Sequence, residues 1–428
     1  MKKQLFVTIL VTLVSVFAFG QEGIELNKKS EYALPETKDV NLNDMIVPKE
    51  WNERIKISGY MQLRNNDFYQ SNVDLTCPQC DRTYGGNTGF SLRRMRLKVT
   101  GRIHERVYFY LQSDFASDGK NLGQLRDAYA DIYLTKDETW RIRAGQSKIP
   151  YGFENLQSSQ YRLGLDRNDP LNSAVKDERD MGAFVYWTST KNRAIFPALK
   201  KMGLKGSGDY GNLGFGMYNG QRANTYSGNG SYHYVARFTW PFQLNNGQFM
   251  EAGIQGYTGK YTVTDVSDSD IKVKGTDINA LNHEFNDQRA AVTFIVYPQP
   301  FGFQSEFNIG KGPEFDPETN TIDTQDLIGG YAQLMYQFKG KRKHNWWLMP
   351  FCRAQYYDGG KKFETDARSY TVKELELGIE WSPFPALELN TTYTFSDRRY
   401  EDLSNFVNGN TGNHQNGQLL RVQLQINY

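Results

Sequence analysis

The stretch FSLRRMRLKVTG, residues 90–101, carries three arginines and a lysine within six positions of a sequence that alternates like a β-strand. Guanidinium groups donate hydrogen bonds in a planar fork that suits phosphate and carboxylate. Side chains on a strand alternate between its two faces, so Met95 and Leu97 share one face and the cations take the other. The cations predicted to share that face are Arg94, Arg96, Lys98 and Arg102.

Neighbouring predicted strands extend this row of cations. By the same alternation Arg64, Arg141 and Arg143 face the same side, which Asp127 and other carboxylates also share. One interpretation is a column of sites that bind an anion well enough for entry and weakly enough for exit. The alternative is that the arginines pair with the carboxylates and only brace the fold.

The cations need strands to position them, and the sequence supplies about sixteen. Apart from the first twenty residues, no apolar run approaches the roughly 18 residues of a spanning helix, and the mean hydropathy is −0.64. Alternation of period two instead predicts a transmembrane antiparallel β-barrel. The predicted strands are 54–67, 90–103, 106–116, 123–135, 139–151, 181–190, 211–219, 231–244, 248–263, 286–298, 301–311, 328–339, 345–358, 369–383, 386–398 and 417–428.

The alternation also indicates which face meets lipid. In the last predicted strand Leu420, Val422 and Leu424 share one face and Arg421 and Gln423 the other. An arginine facing the middle of a bilayer costs roughly 2–4 kcal/mol, so the cationic faces must line a water-filled lumen. A soluble all-β secreted protein also alternates, but sixteen strands and an aromatic end favour the barrel.

The ends of the chain bear on localisation and on domains. Lys2 and Lys3 precede an apolar run that ends at small residues near Gly20, which predicts a signal peptide at 1–20. Residues 21–53 lack periodicity and form a predicted periplasmic lead-in, and 54–428 form the barrel. Removing Lys2 and Lys3 leaves the 48 acidic residues balanced by 48 basic ones out of 50. This neutral charge gives no reason to expect nucleic acid as a partner.

Three blocks carry a resemblance to a known family. They are FSLRRMRLKVTGRIHERVYFYLQSDFA, LRDAYADIYL and RIRAGQSKIPYGFENLQSSQYRLGLDRN. In this order they resemble the corresponding blocks of the phosphate-selective porin O and P family of bacterial outer-membrane channels, most clearly over 90–190.

The resemblance implies a sixteen-stranded barrel, usually a homotrimer, with a long third outer loop folded inward as a constriction. By motif it assigns the paired arginines to Arg93 and Arg94, an aspartate to Asp127 and hydroxyl donors to Ser158 and Ser159. The predicted loop 152–180 departs from the pattern because it mixes cations with carboxylates that include Asp166, Asp169, Asp177, Glu178 and Asp180. That mixture puts strong phosphate selectivity in doubt.

Other motifs predict no chemistry. Cys77 and Cys80 form a CxxC pair without a second pair of ligands, so a disulfide in an exported loop is expected rather than a zinc site. Among the histidines only His233 faces the lumen, without a nucleophile motif, so the chain is not expected to be an enzyme or to need a cofactor. Residues 191–210 are an unusually long lower connection or hide a misread strand. The stretch KNRAIFPALKKMGLK could form a basic amphipathic helix, but a solvated connection is the expectation.

Together these features predict an outer-membrane porin for small hydrophilic solutes that prefers anions such as phosphate. Its other expected partners are outer-membrane lipid and lipopolysaccharide around the barrel. A non-selective diffusion porin, or a barrel that serves as an adhesion or interaction scaffold, remains an alternative.

Overall fold

The structure is a computed structural model, in which the chain can be followed through most of its length. It describes residues 54–77, 79–81, 83–86, 89–116, 123–267, 271–273, 284–340, 346–401 and 413–428. The predicted signal peptide, 1–20, and the predicted lead-in, 21–53, lie outside the described residues.

Sixteen long antiparallel strands form one sheet within the described residues. They are β1 (Ile55–Gln70), β2 (Phe90–His104), β3 (Val107–Asp114), β4 (Gln124–Tyr133), β5 (Trp140–Lys148), β6 (Arg179–Trp187), β7 (Leu213–Tyr218), β8 (His233–Gln243), β9 (Phe249–Thr262), β10 (Glu284–Val296), β11 (Phe301–Asp316), β12 (Thr321–Tyr336), β13 (Trp347–Gly360), β14 (Ser369–Phe384), β15 (Leu387–Glu401) and β16 (His414–Asn427). Two further strands have two residues each, Lys272–Val273 and Phe338–Lys339.

The sheet closes because β1 pairs with both β2 and β16. Tyr60 lies opposite Asn427, and Gly59 and Tyr428 exchange backbone hydrogen bonds of 2.6 and 3.0 Å. A closed barrel leaves no strand edge unpaired, which is what a bilayer requires of a sheet. The predicted sixteen-stranded barrel is confirmed. One loop was predicted too long, since β11 and β12 extend into 312–327 and leave only the turn 317–320.

Each strand alternates as the sequence predicts. In β14, Leu375, Leu377 and Ile379 are exposed on the outer surface. The alternating residues Glu374 and Glu376 are buried inside the barrel. Exposed leucine and isoleucine suit a hydrocarbon surround, and carboxylates suit a polar interior. The pattern makes the barrel wall apolar outside and charged inside.

The helices lie in the connections between strands. They are α1 (Phe153–Leu156), α2 (Asp169–Ala174) and α3 (Thr190–Lys201), with 3₁₀ turns at Lys176–Glu178 and Thr365–Ala367. No helix among the described residues has the length and apolar character to cross a membrane.

Three connections at the upper end, where β1 ends and β2 begins, fold into the barrel. We call them L1 (71–89), L3 (149–178) and L7 (361–368). L3 crosses to the far wall, where Tyr151 donates a hydrogen bond to Asn308 of β11 and Glu154 pairs with Arg353 of β13. L3 turns at Gly152, whose φ is 79° and where a Cβ would lie 2.3 Å from Leu171.

The fourth inward segment, the lower plug (190–210), enters from the opposite end. The expectation of a solvated connection at 191–210 is wrong. Ile195 and Leu199 of α3 are buried against Phe249 of β9 and Ile295 of β10. The physical reason is that α3 is amphipathic and its apolar face covers apolar residues at the lower ends of these strands.

Candidate solute pathway

The cationic face of β2 lies inside the barrel, as predicted. Arg94 and Arg96 are 5% and 3% exposed, whereas Met95 and Leu97 are 40% and 38% exposed on the outer wall. The lipid-facing register would place the two arginines in hydrocarbon at roughly 2–4 kcal/mol each near the midplane. The buried cations of β2 therefore line the inside of the barrel, and we call Arg94, Arg96 and Lys98 the cation wall.

Arg93 does not reach outward to the membrane interface, as its position in the alternation would suggest. The pairing of β1 with β2 shifts between Gln62 and Leu63, which lie opposite Arg94 and Leu92, so Arg93 is an extra residue in a β-bulge. A bulge redirects a side chain from its regular face. Arg93 turns inward, where Nη2 donates to the Cys80 carbonyl at 2.6 Å and Nε lies 3.5 Å from Asp81.

A second bulge does the same on β4. Gln112 and Ser113 of β3 lie opposite Asp127 and Leu125, which leaves Arg126 as the extra residue. Both Arg126 and Asp127 are buried inside. Arg126 was missed in the sequence because strict alternation points it at lipid. The signal for both bulges is two adjacent charged residues within an otherwise alternating strand.

Most of the predicted pathway arginines are neutralised by carboxylates. Arg64 contacts Asp81 at 2.5 Å and Asp166 at 3.1 Å. Arg143 grips Asp131 through Nε at 2.7 Å and Nη2 at 2.8 Å. Such two-pronged contacts hold both groups in place and cancel their charge. For these residues the bracing interpretation holds.

Three other predicted residues are also paired. Arg141 reaches Asp209 of the lower plug at 3.2 Å, and Arg102 at the lower end of β2 pairs with Glu138 at 2.6 Å. Asp127 accepts from Arg179 Nε at 2.9 Å. These pairs join neighbouring strands and the lower plug and so support the barrel.

Arg96 is the point where L3 meets the cation wall. Its Nε contacts Asp114 at 2.8 Å, and Nη1 donates to the Tyr60 hydroxyl at 2.8 Å and lies 3.4 Å from the Ser159 hydroxyl. Ser159 and Tyr60 share a hydrogen bond of 2.5 Å. The structure thus brings Ser159 to the wall, whereas the contact seen for Ser158 is through its carbonyl, which accepts from the Tyr161 amide.

Arg94 differs from its neighbours because no carboxylate of the described residues lies within ion-pair distance of it. Its Nη1 donates to Gln62 Oε1 at 2.9 Å, and its buried Nε has no partner. The charged groups that act on it most strongly are Arg93, Arg96 and Arg162. A buried cation with an open donor, among other cations, is a ready site for an anion.

Arg94 lines a cavity of about 470 Å³ beneath L1 and beside L3. Eight basic and five acidic side chains line it. The basic ones are Arg93, Arg94, Arg96, Arg126, Arg162, Arg167, Lys176 and Arg222. The acidic ones are Asp81, Asp114, Asp166, Asp177 and Glu178. Positive charge therefore exceeds negative charge around this space.

One carboxylate of L3 illustrates the excess. Glu178 lies within 3.5 Å of Lys148, Arg162 and Arg167, and 2.6 Å from Arg179. Burial alone would raise the pKa of Glu178, but these four cations outweigh it and hold the pKa well below its usual range. A single negative charge is shared by four cations, so the group remains ionised and the surroundings remain positive.

Two other acidic residues of L3, Asp166 and Asp169, are held by cations of other strands and of L7. Arg64 and Arg421 overcome the effect of burial and hold the pKa of Asp166 well below its ordinary value. Arg398 and Lys361 likewise outweigh burial and lower the pKa of Asp169 to about 2. Asp166 and Asp169 of L3 are therefore anchors, and neither forms an ion pair with Arg94.

The predicted disulfide is present between Cys77 and Cys80. It lies inside the upper mouth, where Asn172 of L3 donates to Cys80 Sγ at 3.4 Å and Arg398 donates to Cys77 Sγ at 3.2 Å. Asp169 lies nearby, and the three residues are the one group among the described residues with metal-ligand spacing. The two sulfurs of this group are bonded to each other.

His233 is buried with its Nε2 3.0 Å from Asp287, which also pairs with Lys362 of L7. The cluster fastens L7 to β8 and β10.

Comparison with solved structures gives the same fold. The chain is 12% identical to the outer membrane channel DcaP of Acinetobacter baumannii, with a TM-score of 0.51 over 87% of this chain and 97% of that one. OprB of Pseudomonas putida is 9% identical with a TM-score of 0.49, over 88% and 95% of the two chains. An anion-selective porin from Comamonas acidovorans is 9% identical with a TM-score of 0.48, over 87% and 99%. No curated protein sequence matches the chain.

The family model described as phosphate-selective porin O and P matches residues 64–428, nearly the whole barrel. Together with the closed sixteen-stranded sheet, this places the protein in the bacterial outer membrane as a diffusion channel. The chain belongs to the phosphate-selective porin O and P family.

Proposed function

We propose that this channel passes small hydrophilic solutes passively and prefers anions, inorganic phosphate among them. The observation that carries the proposal is Arg94, a buried cation with an open donor and no carboxylate partner among the described residues. It lies in a cavity where basic side chains outnumber acidic ones. An anion is the partner that such a group lacks.

The route begins at the cavity and follows β2 downward. Arg94, Arg96 and Lys98 lie two residues apart on one face, which separates their Cα atoms by about 7 Å at each step. An anion that leaves Arg94 can therefore interact with Arg96 while it is still attracted by Arg94. Asp114 weakens the hold of Arg96, and this favours release.

Ser159 and Lys98 complete this part of the route. The hydroxyl of Ser159 lies beside Arg96 and offers a neutral donor to an oxyanion. Lys98 is half-buried, with its ammonium 6.0 Å from the centre of the Tyr60 ring. Ser158, half-buried in the same turn, is proposed as a second donor.

The charge-paired residues hold the wall of the route in place. They are Arg64, Arg102, Arg141, Arg143 and Asp127. Their charges are cancelled at short range, so their contribution to anion attraction is small beside that of Arg94. In this proposal the unpaired cation attracts the solute, and the charge-paired residues stabilise the barrel wall.

A non-selective porin is the second candidate, because five carboxylates line the same cavity. The two candidates differ in the sign and size of the reversal potential in a salt gradient across a planar bilayer. An anion-preferring channel gives a clear anionic potential, and added phosphate reduces its chloride current. A potential near zero without block by phosphate would favour the non-selective porin, and no conductance would favour an interaction scaffold.

We also propose that the barrel works as a homotrimer embedded in lipid and lipopolysaccharide, as the family resemblance implies. The exposed apolar bands of the strands suit either a lipid or another barrel. Native electrophoresis of the detergent-extracted protein before and after heating tests this assembly, since trimeric porins run as one large species until they dissociate.

A further inference from the structure

The lower plug (190–210) touches several parts of the barrel. Its apolar side packs on β9 and β10 and also on Phe153 of L3. Its polar side pairs Asp209 with Arg141 of β5 and Arg193 with Glu138 of the turn after β4. The plug therefore spans the lower lumen and is fastened on opposite walls.

Lys205 is the point at which the plug meets β14. Its side chain is buried and pairs with Glu380, and its ammonium lies 4.4 Å from the centre of the Trp347 ring. Lys205 has a φ of 63°, a left-handed conformation in which glycine is favoured. A lysine is uncommon in this backbone conformation, and here its side chain makes the buried contact with Glu380.

The same residue also holds L3. The Lys205 carbonyl accepts a hydrogen bond of 2.5 Å from Gln157 Nε2. Gln157 comes two residues before Ser159, whose hydroxyl lies beside Arg96. A continuous chain of contacts thus crosses the lumen from Glu380, through Lys205 and Gln157, to the cation wall.

Residues 158–160, the turn that follows Gln157, are held by hydrogen bonds and by no ion pair among the described residues. Their described ties include the Ser159 carbonyl to Gln62 at 3.2 Å and the Gln160 carbonyl to Gln425 at 3.2 Å. Charged pairs, by contrast, anchor Glu154, Asp166 and Asp169. The position of Ser159 therefore depends on its own contacts with Tyr60 and Gln62 together with the support beneath Gln157.

We propose that the lower plug is a positioning device for L3, in which the buried pair Lys205–Glu380 sets the distance between Ser159 and Arg96 and thereby the width and anion preference of the channel. The inference rests on the proposed anion preference. Lys205 and Glu380 act through L3 and need not touch the solute.

The test uses the full-length protein in planar bilayers. In the double variant Lys205→Gly, Glu380→Gln, glycine relieves the backbone and no buried charge is left unpaired, so the barrel is expected to fold. We expect its single-channel conductance to rise and its reversal potential to shift toward zero. The exposed neighbour Lys201→Gly is the matched control and keeps wild-type values.

Reciprocal exchange tests the pair itself. Lys205→Glu and Glu380→Lys are each expected to change conductance and reversal potential, and combining them is expected to restore both. Wild-type values in the glycine double variant, or no restoration on exchange, would overturn the inference. Gln157→Ala tests the same chain of contacts from the L3 side, should a charge variant fail to fold.

These outcomes separate the inference from the proposed function. If the wild-type channel lacks anion preference, the proposed function fails whatever the variants do. If the wild type prefers anions and the Lys205 and Glu380 variants match it in both conductance and reversal potential, only the positioning role fails.

Discussion

Arg94 and Arg96 lie two residues apart on the inner face of β2, but within the described part of the chain only Arg96 has a carboxylate partner, Asp114 at 2.8 Å. Arg94 donates instead to the neutral Gln62. Two arginines of the same strand thus differ in their environment, since Arg96 is paired with a carboxylate of the described chain and Arg94 is not. This difference is the basis for separating solute-binding cations from structural ones.

Structural cations are expected to control stability. Arg64→Met removes the closest cation of Asp81 and one of the two close cations of Asp166, the other being Arg421. Because this network is buried, we expect the free energy of unfolding to fall by about 3–5 kcal/mol. Denaturant unfolding in detergent or vesicles measures the change. Lys311→Gln removes an exposed pair with Asp326, and it should cost within about 1 kcal/mol. Equal effects of the two substitutions would contradict the bracing role.

An added charge should lower folding stability much more on the outer face of β2 than on its inner face. Met95→Arg places a guanidinium on the lipid side and is expected to lower folding stability in vesicles by about 2–4 kcal/mol if it lies near the midplane. Thr100→Arg adds the same group on the lumen side, where water solvates it, and should cost much less. Folding yield into vesicles of defined thickness compares them, and a milder effect of Met95→Arg would refute the orientation.

Anion preference should weaken in mild alkali because of Lys200 in the lower plug. Desolvation, with Lys98 and then Arg143 opposing the attraction of Asp209, lowers the pKa of Lys200 to about 8. Its charge is therefore present below about pH 8 and lost above it, so the reversal potential should fall between pH 7 and 9. Lys200→Arg keeps the charge and is expected to remove most of this change. An unchanged slope in that variant would assign the titration to another group, such as Lys362, whose pKa is also lowered to about 8.

The barrel could be predicted from the sequence because period-two alternation is a direct result of lipid on one side and water on the other. The inward direction of Arg94, Arg96 and Arg143 followed from the same rule. The inward direction of Arg93 and Arg126 did not, because strict alternation points both side chains at lipid, and the adjacent charged residues that signal a bulge do not show how the partner strand pairs.

The long-range contacts also lay beyond the sequence. The acidic residues of L3 suggested a weakened anion preference, but Asp166 and Asp169 meet Arg421 and Arg398 more than 200 residues away. The plug looked like a polar connection because α3 carries basic residues at its end, while the apolar residues that bury it lie on β9 and β10. Such pairings depend on the closed shape of the barrel.

The most direct test of the account is the reversal potential of Arg94→Gln in a salt gradient, measured beside wild type and Lys311→Gln. We expect Arg94→Gln to shift the reversal potential clearly toward zero and to weaken block by phosphate. We expect Lys311→Gln to leave the reversal potential and the phosphate block at wild-type values. Unchanged selectivity and unchanged phosphate block in Arg94→Gln would contradict the account.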